Sequence, residues 1–155
     1  MHALLPGFRA ALNVHPLFVH FPIALWLAAL FFEILAVRRA SDDWHRTAAR
    51  LLYLGTLAGA ITVLTGLAAK DSVPSGPARA VMEIHEWTML TTFSLAVGLC
   101  MLAFFARENF TARFRKLLLL GLVILAVLLT LGTDRGAQLV YQFGTAVNWS
   151  TAQQQ

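Results

Sequence analysis

The chain has 155 residues, 58% of them apolar and only 13% charged, with a mean hydropathy of +0.67. A soluble domain carries about 25% charged residues, and at this length its surface-to-volume ratio is too high to hide so much apolar side chain. A water-soluble fold is therefore excluded, and the net charge of +4 does not revive it as a nucleic-acid binder, because Lys and Arg sit in short clusters between apolar runs.

Met1–Asn13 is polar, with too short an apolar part for a signal peptide, and no small-residue cleavage site precedes Arg38-Arg39. The first apolar run is therefore expected to be retained. Four such runs predict membrane-spanning helices, over about 16–37, 51–69, 87–106 and 117–133. The first three match the roughly 20 residues that a hydrocarbon core of about 30 Å requires. The fourth reaches it with Gly132-Thr133 and a snorkelling Lys116. The expected fold is all-α: an integral membrane four-helix bundle, one transmembrane domain over residues 1–155.

The first connection, 38–50, holds Arg38, Arg39, Arg46 and Arg50, and the third, 107–116, holds Arg107, Arg113, Arg115 and Lys116. Only Arg9, Lys70, Arg79 and Arg135 fall on the other side. The positive-inside bias then predicts the two Arg-rich loops in the cytoplasm, with both termini and the 70–84 loop outside. The tail 134–149 is amphipathic enough to lie along the outer interface. Cys100 is the only cysteine, which excludes an intramolecular disulfide and CxxC or CxxCH chemistry.

Chemistry, if present, is expected at the outer end. His15 and His20 stand at the start of the first helix and His85 at the start of the third, three histidines at one depth. His15 precedes Pro16 and is expected to lie outside the helix, free to swing. His45 is expected in the opposite, cytoplasmic loop. Small residues line one face of the second helix (Gly55, Gly59, Thr62, Gly66), and His85, Met89, Thr92 and Ala96 line one face of the third. Such stripes either let helices approach closely or leave room for a flat ligand; Gly55-x-x-x-Gly59 fits a homo-oligomer seam as well as an internal contact.

These residues support a b-type haem, because axial imidazoles from two helices present neutral nitrogen donors to iron. The preferred pair is His20 and His85, with His15 nearby. Lys70, Arg79 and Arg135 are the expected partners of the propionates. The alternatives are a Zn or Cu site built with Asp71, Glu83, Glu86 and Asp134, or no cofactor, the histidines being interfacial groups of a non-catalytic assembly subunit. Glu33, the only ionisable group within a run, is expected either to be functional or to pair with Arg38 one turn away. Nothing resembles GxSxG, a phosphate loop or HExxH.

The segment His15-Pro16-x-x-Val19-His20-Phe21-Pro22, Thr65-Gly66-Leu67, His85, and Leu139-Val140-Tyr141 with Gly144 and Val147 resemble the bacterial membrane family called domain of unknown function 2231, over almost the whole chain. The tail departs from the family's usual Gly-Gly, reading Gly136-Ala137-Gln138. The resemblance implies a four-helix domain in a bacterial inner membrane, in some members fused to or encoded beside Rieske or cytochrome modules. That redox setting favours haem at His20 and His85 and an electron-transfer role. Besides the lipid bilayer, the expected partner is a periplasmic redox protein or a quinone.

Overall fold

A computed structural model of the chain describes residues 13–73, 75–107 and 111–145. A one-turn helix α1 (His15–Phe18) leads into α2 (His20–Arg39), followed by α3 (Asp42–Ala69), a 3₁₀ turn (Lys70–Ser72), α4 (Pro77–Ala106) and α5 (Ala112–Tyr141). Four helical stretches, counting α1 and α2 as one, are long and apolar enough to cross a membrane. At most 33% of the apolar window in each is buried inside the bundle, so most of each window is left half-buried or exposed. Leu64, Phe105 and Leu131 are among those exposed. Only a hydrocarbon solvent makes that outer surface favourable.

The helices begin and end where local chemistry directs. Pro77 opens α4, where its missing N–H is no loss, and the Thr111 hydroxyl accepts from the Phe114 amide to cap α5. Asp42 and Asp43 occupy the first turn of α3, and Arg38 and Arg39 the last turn of α2, each complementing the helix dipole. Between them the chain turns within Ala40-Ser41. Ala40 takes the left-handed conformation (φ 48°, ψ 41°), and the amides of Ala40 and Ser41 both close on the Ala36 carbonyl.

Helicity extends well beyond the apolar runs. Most of the expected 38–50 loop is the first turns of α3, much of the 70–84 loop belongs to α4, and Asp134–Tyr141 of the expected interfacial tail continues α5. A chain in lipid gains from satisfying backbone groups internally, and that gain continues through the interface. Trp149 and the residues after it lie outside the described residues, as do His2 and Arg9.

The strongest packing is α2 on α3 and α4 on α5, two hairpins in tandem, with α2–α5 and α3–α4 contacts joining them. The core lies between them and comprises Trp26, Ala29, Leu52, Ala96, Leu99, Leu118, Leu122, Leu125 and Leu129. Gly55 and Gly59 are occupied from within. A Cβ on Gly55 would come 2.7 Å from Trp26 Cδ1, and one on Gly59 3.0 Å from Trp26 Cζ2.

Candidate functional site

Toward the end where α1 begins and α5 finishes, the two hairpins part around a cavity of about 530 Å³, within the size range of ligand pockets, roughly 300–1,000 Å³. Trp26, Gly59, Phe93 and Leu129 are its deepest lining residues on the four long helices. The indole of Trp26 is held there by its N–H bond to Thr56 Oγ1 (3.3 Å). The same hydroxyl accepts from Cys100 Sγ (3.2 Å) and itself donates to the Leu52 carbonyl (2.8 Å). Three helices are thereby pinned together beneath the cavity floor.

Two imidazoles face the cavity from opposite hairpins. His15 donates from Nδ1 to the Thr62 carbonyl (3.1 Å), with Thr65 Oγ1 at 3.2 Å as a second acceptor. His85 donates from Nδ1 to the Gly132 carbonyl (2.8 Å). Because a carbonyl oxygen can only accept, both rings carry their proton on Nδ1. Their Nε2 lone pairs find no hydrogen-bond partner among the described residues.

The two settings repeat. Each acceptor carbonyl lies 47 residues after its histidine. Four residues beyond each acceptor is a glycine against which the ring packs: a Cβ on Gly66 would come 3.0 Å from His15 Cε1, and one on Gly136 3.1 Å from His85 Cε1. The whole construction recurs 70 positions on, from His15, Thr62 and Gly66 to His85, Gly132 and Gly136. Apart from the histidine and the glycine themselves, no internal repeat is visible in the residues around these positions.

The sequence-derived site residues are distributed unevenly. His15 does not swing outside a helix but sits in the first turn of α1, anchored to α3. His20 also borders the cavity, exposed, without the backbone anchor that its two neighbours share. Lys70, Arg79 and Arg135 are not among the lining residues. Lys70 is ion-paired with Glu86 (2.8 Å), Arg79 donates to the Lys70 carbonyl (3.1 Å), and Arg135 donates to Gln138 (2.9 Å). Glu86 does line the cavity. Among the described residues no three His, Cys, Asp or Glu side chains converge as a metal site.

The opposite end holds a pair that sequence reasoning separated. Glu33 is 0% exposed and His45 1% exposed. His45 Nδ1 lies 2.7 Å from Glu33 Oε2, whereas Arg38 is exposed. His45 is buried because α3 begins at Asp42 and carries it inward against α2. The spacing across the two-residue turn held the signal, once the helix is known to start so early.

A family model described as "Predicted membrane protein (DUF2231)" matches residues 11–148. No curated protein and no solved structure matches the chain.

Proposed function

We propose that this chain, which belongs to the DUF2231 family of predicted membrane proteins, binds haem b between its two hairpins, where His15 and His85 would hold the iron, and serves in electron transfer. The observation that carries the reading is the repeated histidine setting. A metal-ligating histidine characteristically gives its second ring nitrogen to a carbonyl or carboxylate, which fixes the tautomer and aims the other lone pair. Both rings meet that requirement beside one apolar cavity, each anchored within a different hairpin. Two nitrogen donors suffice for an iron whose other ligands come from a macrocycle, whereas a bare Zn or Cu needs at least three from the protein.

When bound, haem would supply a one-electron couple at iron, tuned by the residues that hold it and by burial. The residues of the chain do the rest. Thr62 and Gly132 hold the imidazoles by their carbonyls, and Gly66 and Gly136 leave the rings room to lie flat against α3 and α5. Trp26, Phe93 and Leu129 keep water from the inner side of the site. Lys70, ion-paired with Glu86 at the rim, is the cation placed best to meet a ligand carboxylate by exchanging partners. His20 stands at the rim as a polar neighbour. The positive-inside bias supports this end facing outward; in the bacterial inner membrane that the family resemblance implies, the electron partner is then a periplasmic redox protein or a quinone.

The test is the protein purified from haem-replete cells. A Soret band that sharpens and shifts on dithionite reduction is expected. A colourless protein after haem reconstitution would remove the proposal.

A further inference from the structure

We infer that the two hairpins are copies of one unit, related by a two-fold axis that runs along the bundle through the cavity, and that Trp26 and Phe93 break this symmetry so that a flat ligand seats in one of its two orientations. The copies stand on packing alone; the seating rests on the reading of the cavity as a haem site.

The repeat of 70 positions reaches well beyond the histidines. α3 begins at Asp42 and α5 at Ala112. Every buried residue of α2, from Pro22 to Ala36, has a buried counterpart 70 positions on in α4, from Thr92 to Ala106. Ala48, Leu52, Gly55, Gly59 and Thr62 of α3 have buried counterparts in α5 in the same way. Both hairpins therefore turn the same face inward at the same register. α2 and α4 both run from the histidine end, and α3 and α5 both return to it. The hairpins are joined by α2–α5 and α3–α4 contacts, and exchanging them turns one joint into the other. An axis that exchanges them without reversing their direction lies along the bundle.

Residue identities have diverged, but bulk has been traded between matched positions. Trp26 on α2 packs over Gly55 and Gly59 on α3; the same three positions of the second hairpin are Ala96, Leu125 and Leu129. Leu99 on α4 packs over Gly121 on α5, where the first hairpin has Ala29 and Leu51. Between the hairpins, Phe93 Cδ2 lies 3.3 Å from where a Cβ on Gly59 would stand, and the counterparts of these two are Ile23 and Leu129. Cores accept such trades when the filled volume is kept. Unrelated hairpins have no reason to match them position by position.

The axis exchanges His15 with His85, so a flat ligand between them meets the same donor on either face. Haem b turned over about the line that bisects its two carboxylates exchanges only methyl with vinyl groups on the far half of its rim. A symmetric floor would accept both seatings equally. This floor is lopsided: Trp26 and Phe93 bring two aromatic rings against Gly59 on α3, and Leu129 takes the related place on α5. One carbon more or less in an apolar pocket discriminates by about tenfold or more, and vinyl exceeds methyl by one carbon.

The copies are tested by unfolding the purified protein in denaturing detergent, which needs no cofactor. Trp26→Ala should lower the midpoint. Combining it with Gly55→Leu, Gly59→Leu and Phe93→Ile installs the counterpart residue at all four positions and should recover much of the loss. A combined variant no more stable than Trp26→Ala overturns the copies. The seating is tested by proton NMR of the ferric, haem-loaded protein, in which each seating gives its own set of ring-methyl resonances. One set should exceed the other by about tenfold or more in the wild type. The minor set should grow in Phe93→Ile and approach equality in the combined variant. Equal sets in the wild type, or an unchanged ratio in Phe93→Ile, overturn the seating. Protein that takes up no haem overturns the seating together with the proposed function, while the unfolding comparison still decides the copies.

Discussion

His85 gives its Nδ1 proton to the carbonyl oxygen of Gly132 at 2.8 Å, and that one bond decides what the ring can do. The acceptor sits on the neighbouring helix, so the ring is fixed relative to α5 and its Nε2 is left as a lone pair beside the cavity. His15 has the same relation to Thr62 on α3. The two hairpins thus each contribute one oriented donor, and the space between them belongs to both.

The glycines under the rings should matter as much as the rings. Gly66→Val and Gly136→Val bring a branched side chain against the rings, with its Cβ only 3.0 Å from His15 Cε1 and 3.1 Å from His85 Cε1. Each should lower haem affinity by roughly 10- to 100-fold, the usual cost of disturbing the support of a metal ligand. The haem-to-protein ratio after reconstitution measures this. Gly98→Val is the control, since a Cβ there meets nothing within 4 Å, and it should leave the ratio unchanged.

Removing one member of the buried pair should be costly. Glu33→Ala leaves His45 without its carboxylate and should destabilise the protein by about 3–5 kcal/mol, whereas Glu33→Met combined with His45→Leu should be near neutral. Unfolding in denaturing detergent distinguishes the two. Equal losses in the single and double variants would mean that the space, and not the charge, is what matters.

These two sites differ in how far the sequence discloses them. The four helices are legible because apolar runs of membrane length have few other uses. The end at which His15, His20 and His85 gather is legible for the same reason, since each stands at the start of a run. Which histidines are anchored is not legible, because the anchors at Thr62 and Gly132 are backbone carbonyls, and any residue type supplies one. Charge counting also assigns His45 and Glu33 to a loop and a lone acid. Their pairing depends on α3 starting within two residues of α2, which hydropathy places about nine residues too late.

Ala40 makes that early start at a cost. A left-handed alanine is disfavoured by about 1–2 kcal/mol relative to its right-handed form, and glycine largely escapes this. Ala40→Gly should therefore stabilise the protein by about 1 kcal/mol, read as a higher denaturation midpoint. A lower midpoint would show that the turn is not strained.

Thr56 carries the polar junction beneath the cavity. Thr56→Val removes the acceptor of Trp26 Nε1, while Cys100 Sγ keeps the Leu52 carbonyl at 3.8 Å, and burial of the unsatisfied indole N–H should cost about 1–3 kcal/mol. Tryptophan fluorescence should change with it, and the wild-type spectrum in this variant would contradict the assignment of Trp26 to the floor.

The most direct measurement is the reduced-minus-oxidised visible spectrum of the purified wild type beside His15→Ala, His85→Ala and His20→Ala. The account predicts a b-type spectrum in the wild type, its loss or conversion to a five-coordinate form in His15→Ala and His85→Ala, and its retention in His20→Ala. Wild-type protein without the spectrum, or a spectrum that survives both His15→Ala and His85→Ala, would contradict it.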